Sequence, residues 1–244
     1  MIPKTIHYCW FGRDDLGRLA RKCLDSWRRV LPDYQIREWN EDNFDVSANR
    51  YCREAYESRK WAFVSDYVRL YLLYTYGGIY MDTDVEVLKP LDAFLGCGAF
   101  SGFEDQQHIP TGIIGAQQGN DWVADLLRYY DDRPFVLPDG ELDMTTNVTT
   151  ITWISGSNHG FVANGEYQIL MNDVHIFPAE WFCPLSFADG IMRVTPNTYT
   201  IHHFSGSWQT GQQKLNLAVR RWILKNLGEA ALDIAGTIAR SLRK

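Results

Sequence analysis

The chain has 244 residues, a net charge of −6, 22% charged residues and an aromatic content of 14% that includes 9 Trp and 13 Tyr. That length suits one α/β domain whose core is large enough to fold without a disulfide or structural metal. The acidic balance argues against a nucleic-acid partner, because the body would repel phosphate backbones.

In chain order, residues 5–10 read as a first strand, stopped by Gly12. Residues 18–30 place Leu19, Cys23, Trp27 and Val30 near helical spacing. A second strand is predicted over 34–39 and a polar loop over 40–45. Residues 62–76 are apolar nearly all round, which predicts a buried helix with Gly77 and Gly78 available to terminate it. Short strands follow at 79–81, 85–87, 99–103 and 112–116, then a helix at 120–132 and a late strand at 198–204. This alternation predicts a single α/β domain over 1–213, with a mixed central sheet flanked by helices and its motifs at strand ends, where ligand sites of such sheets lie.

Residues 214–244 carry seven basic and two acidic residues. They form a basic, partly amphipathic helical tail that is either packed on the domain or peripherally associated with an anionic membrane surface. No window has the length of a membrane-spanning helix, and the apolar run at the N-terminus is too short for a signal segment. Cys9, Cys23, Cys52, Cys97 and Cys183 are odd in number, widely spaced and without a C-x-x-C pair. They read as reduced thiols of a cytoplasmic protein, not as a disulfide framework or zinc site.

Asp82 and Asp84 leave the end of an apolar strand, where carboxylates have no packing role. Two hard oxygen ligands at i and i+2 suit a divalent cation, and a cation holds phosphate. Within the apolar helix, Ser65, Asp66 and Arg69 need an explanation, since a buried charged pair is costly unless both members are satisfied. They are either an ion pair closing the core or the rim of a pocket, where the Arg69 fork suits phosphate. Near the other end, His202 and His203 close an apolar strand. Adjacent strand residues point to opposite faces, so one fits a core position and the other a metal-ligand position. Trp10 ends the first strand and either stacks on a nucleobase or belongs to the core.

The stretches IPKTIHYCWFG, CLDSW, PDYQIREWNEDNFD, WAFVSDYVRLYLLYTYGGIYMDTDVEVLKPLD and IHHFSGSW, spread over residues 2–208, carry a resemblance. The chain resembles glycosyltransferase family 32, the DXD-containing sugar-transferase group. That group takes in capsular and lipopolysaccharide sugar transferases and yeast mannosyltransferases, and is more distantly similar to the clostridial toxin glucosyltransferase domains. The resemblance implies a GT-A fold, a nucleotide-sugar donor, a Mn²⁺ or Mg²⁺ cofactor and retention of configuration. The donor it implies is UDP-hexose or UDP-N-acetylhexosamine. The acceptor is an oligosaccharide or lipid-linked glycan in surface polysaccharide synthesis, such as a capsule.

Carried over by position, Trp10 stacks on the base, and Asp66 and Arg69 bind ribose, donor sugar or diphosphate. Tyr80 lines the nucleotide, Asp82 contacts hydroxyls and Asp84 ligates the metal. His203 supplies a late metal ligand where the toxin relatives carry a carboxylate. Ser207 and Trp208 contact the diphosphate, and Asn147 faces the transferred sugar.

Two other classes compete. A phosphatase with an aspartate pair after an apolar strand lacks its later motifs here, and an EF-hand loop fails because Val87 stands where glycine is required. A binding protein that keeps the nucleotide-sugar site without turnover is the other alternative.

Overall fold

The computed structural model describes residues 1–206 and 211–227. Its elements are β1 (Thr5–Cys9), α1 (Arg18–Val30), β2 (Gln35–Trp39), α2 (Arg50–Glu57), α3 (Trp61–Tyr76), β3 (Gly78–Met81), β4 (Val85–Val87) and β5 (Ala99–Gly102). Then come β6 (Ile113–Ala116), α4 (Asp121–Arg128), α5 (Asn147–His159), β7 (Gln168–Leu170), β8 (Val174–Phe177), α6 (Ala179–Phe182), β9 (Thr200–His202) and α7 (Gly211–Leu227). Seven strands form one mixed sheet in the order β2-β1-β3-β6-β5-β8-β7, and β4 pairs with β9 in a small antiparallel sheet. The expected mixed central sheet flanked by helices is therefore what the chain adopts.

Side-chain alternation sorts the strands between two cores. In β3, Ile79 and Met81 join α1 residues Leu24 and Trp27 on one face. Tyr80 points to the other face, into the core made by α2, α3, α4 and α5. Helix α3 buries residues on every side, among them Val64, Val68, Leu72 and Leu73, as its all-round apolar sequence predicts. Gly77 caps it at φ 65°, and Gly78 at φ 110° is the first residue of β3 rather than part of the stop. Any Cβ at Gly78 would sit 2.6 Å from the Thr5 carbonyl oxygen, so only glycine permits this close entry beside β1.

Strands β1, β2, β5 and β6 are each one residue shorter than expected, and two further elements are shorter by more. Asn120 is the cap of α4, its side chain accepting from the Trp122 and Val123 amides, and the helix ends at Arg128. Only residues 200–202 of the late strand pair with β4.

Strands β2, β1 and β3 run parallel, with β1 in the middle. The chain winds from β1 outward to β2, then returns past β1 to β3. This reversal makes a topological switch point between the carboxyl ends of β1 and β3, the place where open α/β sheets hold ligands. Trp10 leaves one of those ends and Asp82 the other. Helix α1 fastens the chain just beyond: Trp27 Nε1 donates to the Val85 carbonyl at 2.6 Å, and the Val87 amide donates to Ser26 Oγ at 2.9 Å.

His7, fully buried in β1, ties this region together. Its Nδ1 accepts from Trp39 Nε1 at 3.1 Å and its Nε2 donates to the Gly77 carbonyl at 2.9 Å, a pattern that only the neutral ring satisfies. Burial, with Arg37 adding to it against the Gly77 bond, lowers the His7 pKa from 6.5 to about 4. Between those values the unfolded chain binds a proton that the folded chain refuses, so stability falls as pH drops from about 6.5 towards 4. The expected loss attributable to His7 is at most about 3 kcal/mol. Urea unfolding of wild type and His7→Gln across this range measures it: the wild-type pH slope should exceed that of the variant, and parallel slopes would contradict it.

Candidate functional site

Asp82 follows β3 directly, and its amide donates to the Gly112 carbonyl at 2.9 Å, which holds the turn against the segment before β6. Three residues on, β4 begins and pairs antiparallel with β9, Val85 opposite His202. This register sets His202 beside Asp84, with Nε2 3.3 Å from Asp84 Oδ1. Asp84 Oδ2 accepts the Ser205 amide at 2.7 Å. Ligand atoms of Asp82, Asp84 and His202 lie within 4.8 Å of one another. Gly112 makes room for this, since a Cβ there would stand 2.8 Å from the His202 ring.

His203, the histidine that the sequence comparison favours as metal ligand, points elsewhere. Its Nε2 lies 2.9 Å from Glu86 Oε2, a carboxylate that also pairs with Lys22 at 2.7 Å. The two histidines do separate to opposite sides, as alternation predicts, with His202 on the aspartate side.

Electrostatics in the cluster follow from burial and proximity. Burial works to raise the Asp84 pKa, but His202 and the Ser205 donors outweigh it and hold the carboxyl far below its ordinary value. His202 moves the opposite way: burial lowers it, and the Asp84 charge lifts it well above the usual histidine range. Its Nδ1 is buried and has no hydrogen-bond partner among the described residues.

The donor set fits a divalent cation. Two carboxylates and one imidazole converge, His202 has a nitrogen towards them, and Asp82 Oδ2 makes no hydrogen bond among the described residues. Cation binding and protonation of His202 compete for the same nitrogen.

Arg69 organises the second half of the site from α3. Nε donates to the Ser65 carbonyl at 3.1 Å and Nη1 to the Thr111 carbonyl at 2.7 Å. Nη2 lies 2.9 Å from Asp66 Oδ1 and 3.5 Å from Asp82 Oδ1. The guanidinium stacks 4.6 Å over the Tyr80 ring, whose hydroxyl donates to Asp82 Oδ1 at 2.9 Å. Of five N–H groups, one on Nη1 remains for a ligand, so two-pronged phosphate recognition would require Arg69 to release a protein partner. Asn147, the first residue of α5, extends the network: its Nδ2 donates to Asp66 Oδ1 at 3.3 Å, and Tyr130 donates to its Oδ1 at 3.3 Å. Burial raises the Asp66 pKa to about 6, against the pull of Arg69 and with a push from Asp82.

Trp10 is partly exposed, with Nε1 donating to the Asp14 carbonyl at 2.6 Å. It lines a groove of about 250 Å³ with Arg13, Glu38 and Asn40. A neighbouring groove of about 600 Å³ runs past Gly12, Tyr56, Arg59 and Trp61. Both adjoin the carboxyl ends of β1 and β2, beside the switch point, and neither is lined by Asp82 or Asp84. Ser207 and Trp208 lie outside the described residues. Gly112, Tyr130 and the partnership of His202 have no signal in a motif, because each enters through contacts distant in sequence.

A protein-family profile described as "Glycosyltransferase sugar-binding region containing DXD motif" matches residues 17–100, from α1 to β5. The match bears out the glycosyltransferase resemblance of the sequence. Inositol phosphoceramide mannosyltransferase 3 of Schizosaccharomyces pombe is 27% identical over 134 residues, 52% of this chain and 36% of that protein. Inositol phosphoceramide mannosyltransferase 1 of the same organism is 30% identical over 135 residues, 50% of this chain and 38% of its own. The chain thus spans well under half the length of these two relatives. Among solved structures, "PaToxG Glycosyltransferase" aligns with a TM-score of 0.47 at 16% identity, over 64% of this chain and 69% of that one.

Removing the guanidinium leaves the buried Asp66 carboxylate, and the part-buried Asp82 carboxylate, without their shared cation. Arg69→Met is therefore expected to cost roughly 3–5 kcal/mol of stability at pH 7.5, read from the urea midpoint. A loss below about 1 kcal/mol, the worth of an exposed pair, would show that the contacts of Arg69 are dispensable.

Proposed function

We propose that this chain, built around a glycosyltransferase sugar-binding region with a DXD motif at residues 17–100, is a GT-A-type, metal-dependent, retaining glycosyltransferase. The observation that carries the reading is the convergence of Asp82, Asp84 and His202 beside the Arg69 network, at the switch point of the sheet. The donor is a nucleotide-sugar, UDP-hexose or UDP-N-acetylhexosamine, and the acceptor an oligosaccharide or lipid-linked glycan of a surface polysaccharide such as a capsule. GDP-mannose is the second candidate, favoured by the two mannosyltransferase relatives. Five buried, unpaired cysteines suit a cytoplasmic setting.

Asp82, Asp84 and His202 would hold Mn²⁺ or Mg²⁺, which when bound neutralises diphosphate charge and acts as a Lewis acid on the leaving group. The other roles fall to side chains. Trp10 offers a ring to the base beside its groove. Arg69 fixes Asp66 and Asp82 and keeps one N–H for an anionic oxygen. Asn147 and Asp66 present polar atoms to sugar hydroxyls. In the proposed step, the acceptor oxygen bonds to the anomeric carbon on the face from which the phosphate leaves. The bond from that carbon to phosphate oxygen breaks, and the acceptor proton passes to the departing phosphate. A glycosyl–enzyme adduct trapped in a mass spectrum would overturn this step.

We also propose a division into a catalytic domain, 1–213, and a basic tail, 214–244. Helix α7 is docked through Arg221, whose Nε and Nη2 donate to the Phe187 carbonyl at 3.1 and 2.8 Å. Its residues include Lys214, Arg220, Arg221 and Lys225 and no acid, while Leu215, Val219 and Trp222 are exposed. That combination suits peripheral contact with an anionic bilayer. No helix among the described residues is long and apolar enough to cross a membrane. In vesicle sedimentation with phosphatidylserine, Trp222→Glu should partition several-fold less than wild type; equal partitioning would remove the membrane contact.

Nucleotide release from a panel of UDP- and GDP-sugars, with Mn²⁺ or EDTA, tests the activity and names the donor. Wild type should turn over one donor in a metal-dependent manner, and Asp84→Ala should lose roughly a hundredfold or more. Tight binding of a Mn²⁺–nucleotide-sugar without turnover on any acceptor would favour the binding-only alternative. Neither binding nor turnover would sink the reading.

A further inference from the structure

Asn147, which the proposed function sets against the transferred sugar, opens α5 without help from a capping side chain. Thr146, at the N-cap, makes no side-chain bond to the helix amides. The Asn147 carboxamide is nevertheless held on both sides. Nδ2 donates to Asp66 Oδ1 at 3.3 Å, and Oδ1 accepts from the Tyr130 hydroxyl at 3.3 Å. All three residues are buried. One of the two N–H groups on Nδ2 goes to Asp66, and the other has no acceptor among the described residues.

These partners settle which way round the amide sits. An ionised Asp66 accepts and cannot donate, so it takes the N–H edge. That leaves the oxygen edge to Tyr130, whose hydroxyl has no other partner among the described residues. Burial lifts the Tyr130 pKa well above its ordinary value, so the phenol keeps the proton that it donates. The ring is fixed as well. It packs edge-on against Tyr51 of α2 and Tyr67 of α3, with centroids at 4.9 and 5.9 Å. The Tyr130 carbonyl accepts Asn49 Nδ2 at 3.0 Å, and Asn49 is the N-cap of α2. At 2% exposure Tyr130 is closed to a ligand, and its hydroxyl reaches the site through Asn147.

We propose that Tyr130 is a positioning residue for glycosyl transfer: its hydroxyl orients the Asn147 carboxamide, so that the N–H left by Asp66 is presented to the sugar. This assignment rests on the glycosyltransferase reading. An amide freed on its oxygen side has to be ordered by the substrate itself, and that ordering is subtracted from sugar binding and from rate.

The test is a double-mutant cycle on the full chain: wild type, Tyr130→Phe, Asn147→Ala and the double variant. Phenylalanine keeps the ring packing and removes only the donor, and urea unfolding checks that each protein is folded. Affinity for UDP and GDP with Mn²⁺ is measured first. Affinity for the nucleotide-sugar that wild type turns over and kcat/KM for its turnover follow. Tyr130→Phe should bind the nucleoside diphosphate as wild type does, while nucleotide-sugar affinity or kcat/KM falls about three- to tenfold. In the Asn147→Ala background the same substitution should change either quantity by less than about twofold. Where Asn147→Ala turns over too slowly to measure, the affinities complete the cycle. A residue that merely supports the fold would act alike in both backgrounds. Equal falls in both backgrounds, no fall in either, or an Asn147→Ala variant as active as wild type would overturn the role of Tyr130 and leave the enzyme reading intact. Loss of nucleoside diphosphate binding in Tyr130→Phe would also overturn it, making Tyr130 a support of the whole site. Wild type that neither binds nor turns over any nucleotide-sugar would defeat the glycosyltransferase reading, and this assignment with it.

Discussion

The Arg69 guanidinium is the interaction on which the candidate site depends. It is buried within the sheet–helix interface, yet three of its contacts lead to groups that define the site. Asp66 lies one helical turn before it, Asp82 comes from β3, and the Thr111 carbonyl comes from the segment before β6. That charge offsets the burial of Asp66, whose pKa burial still raises to about 6. Asp82 is held from the other side by Tyr80, which the alternation of β3 turns towards α3. The same sequence block thus builds both the packing and the chemistry.

A second constraint acts through the small sheet. Strand β4 starts one residue after Asp84 and is pinned by α1 through Trp27, Ser26 and Lys22. Its only strand partner among the described residues is β9, so the register Val85 to His202 decides which histidine meets the aspartates. A slip of one residue would exchange the faces of His202 and His203. Glu86 opposes such a slip, because it already holds both Lys22 and His203. The metal-binding reading and the sheet register therefore stand together.

Much of the fold near β1 and β3 is legible in the sequence, since its signals are local. Helix α1 over 18–30 follows from apolar spacing, α3 from an apolar run ended by Gly77, and the β3 alternation from Ile79, Tyr80 and Met81. The later half is less so. Helix α5 carries Thr149, Thr150, Thr152 and Gly156, weak helix formers, and has almost no apolar face, so tertiary packing of Ile151 and Ile154 makes it a helix. Strands β7 and β8 are three and four residues long, β8 depending on pairing with β5 and β7 on pairing with β8. At the site, the D-x-D spacing and the Asp66–Arg69 pair can be read directly. The choice of His202 over His203 cannot, because it depends on a pairing between strands more than a hundred residues apart. Tyr130 is silent for the same reason: its meaning comes from what surrounds it.

The central claim, a divalent cation held by Asp82, Asp84 and His202, is most directly tested by Mn²⁺ binding. Electron paramagnetic resonance titration in the presence of UDP, on wild type, His202→Ala and His203→Ala, reads it without reference to turnover. The account predicts that His202→Ala weakens Mn²⁺ by at least the roughly 10–100-fold that loss of even an outer-sphere partner costs, with His203→Ala close to wild type. A larger loss in His203→Ala, or equal affinity in all three proteins, would contradict it.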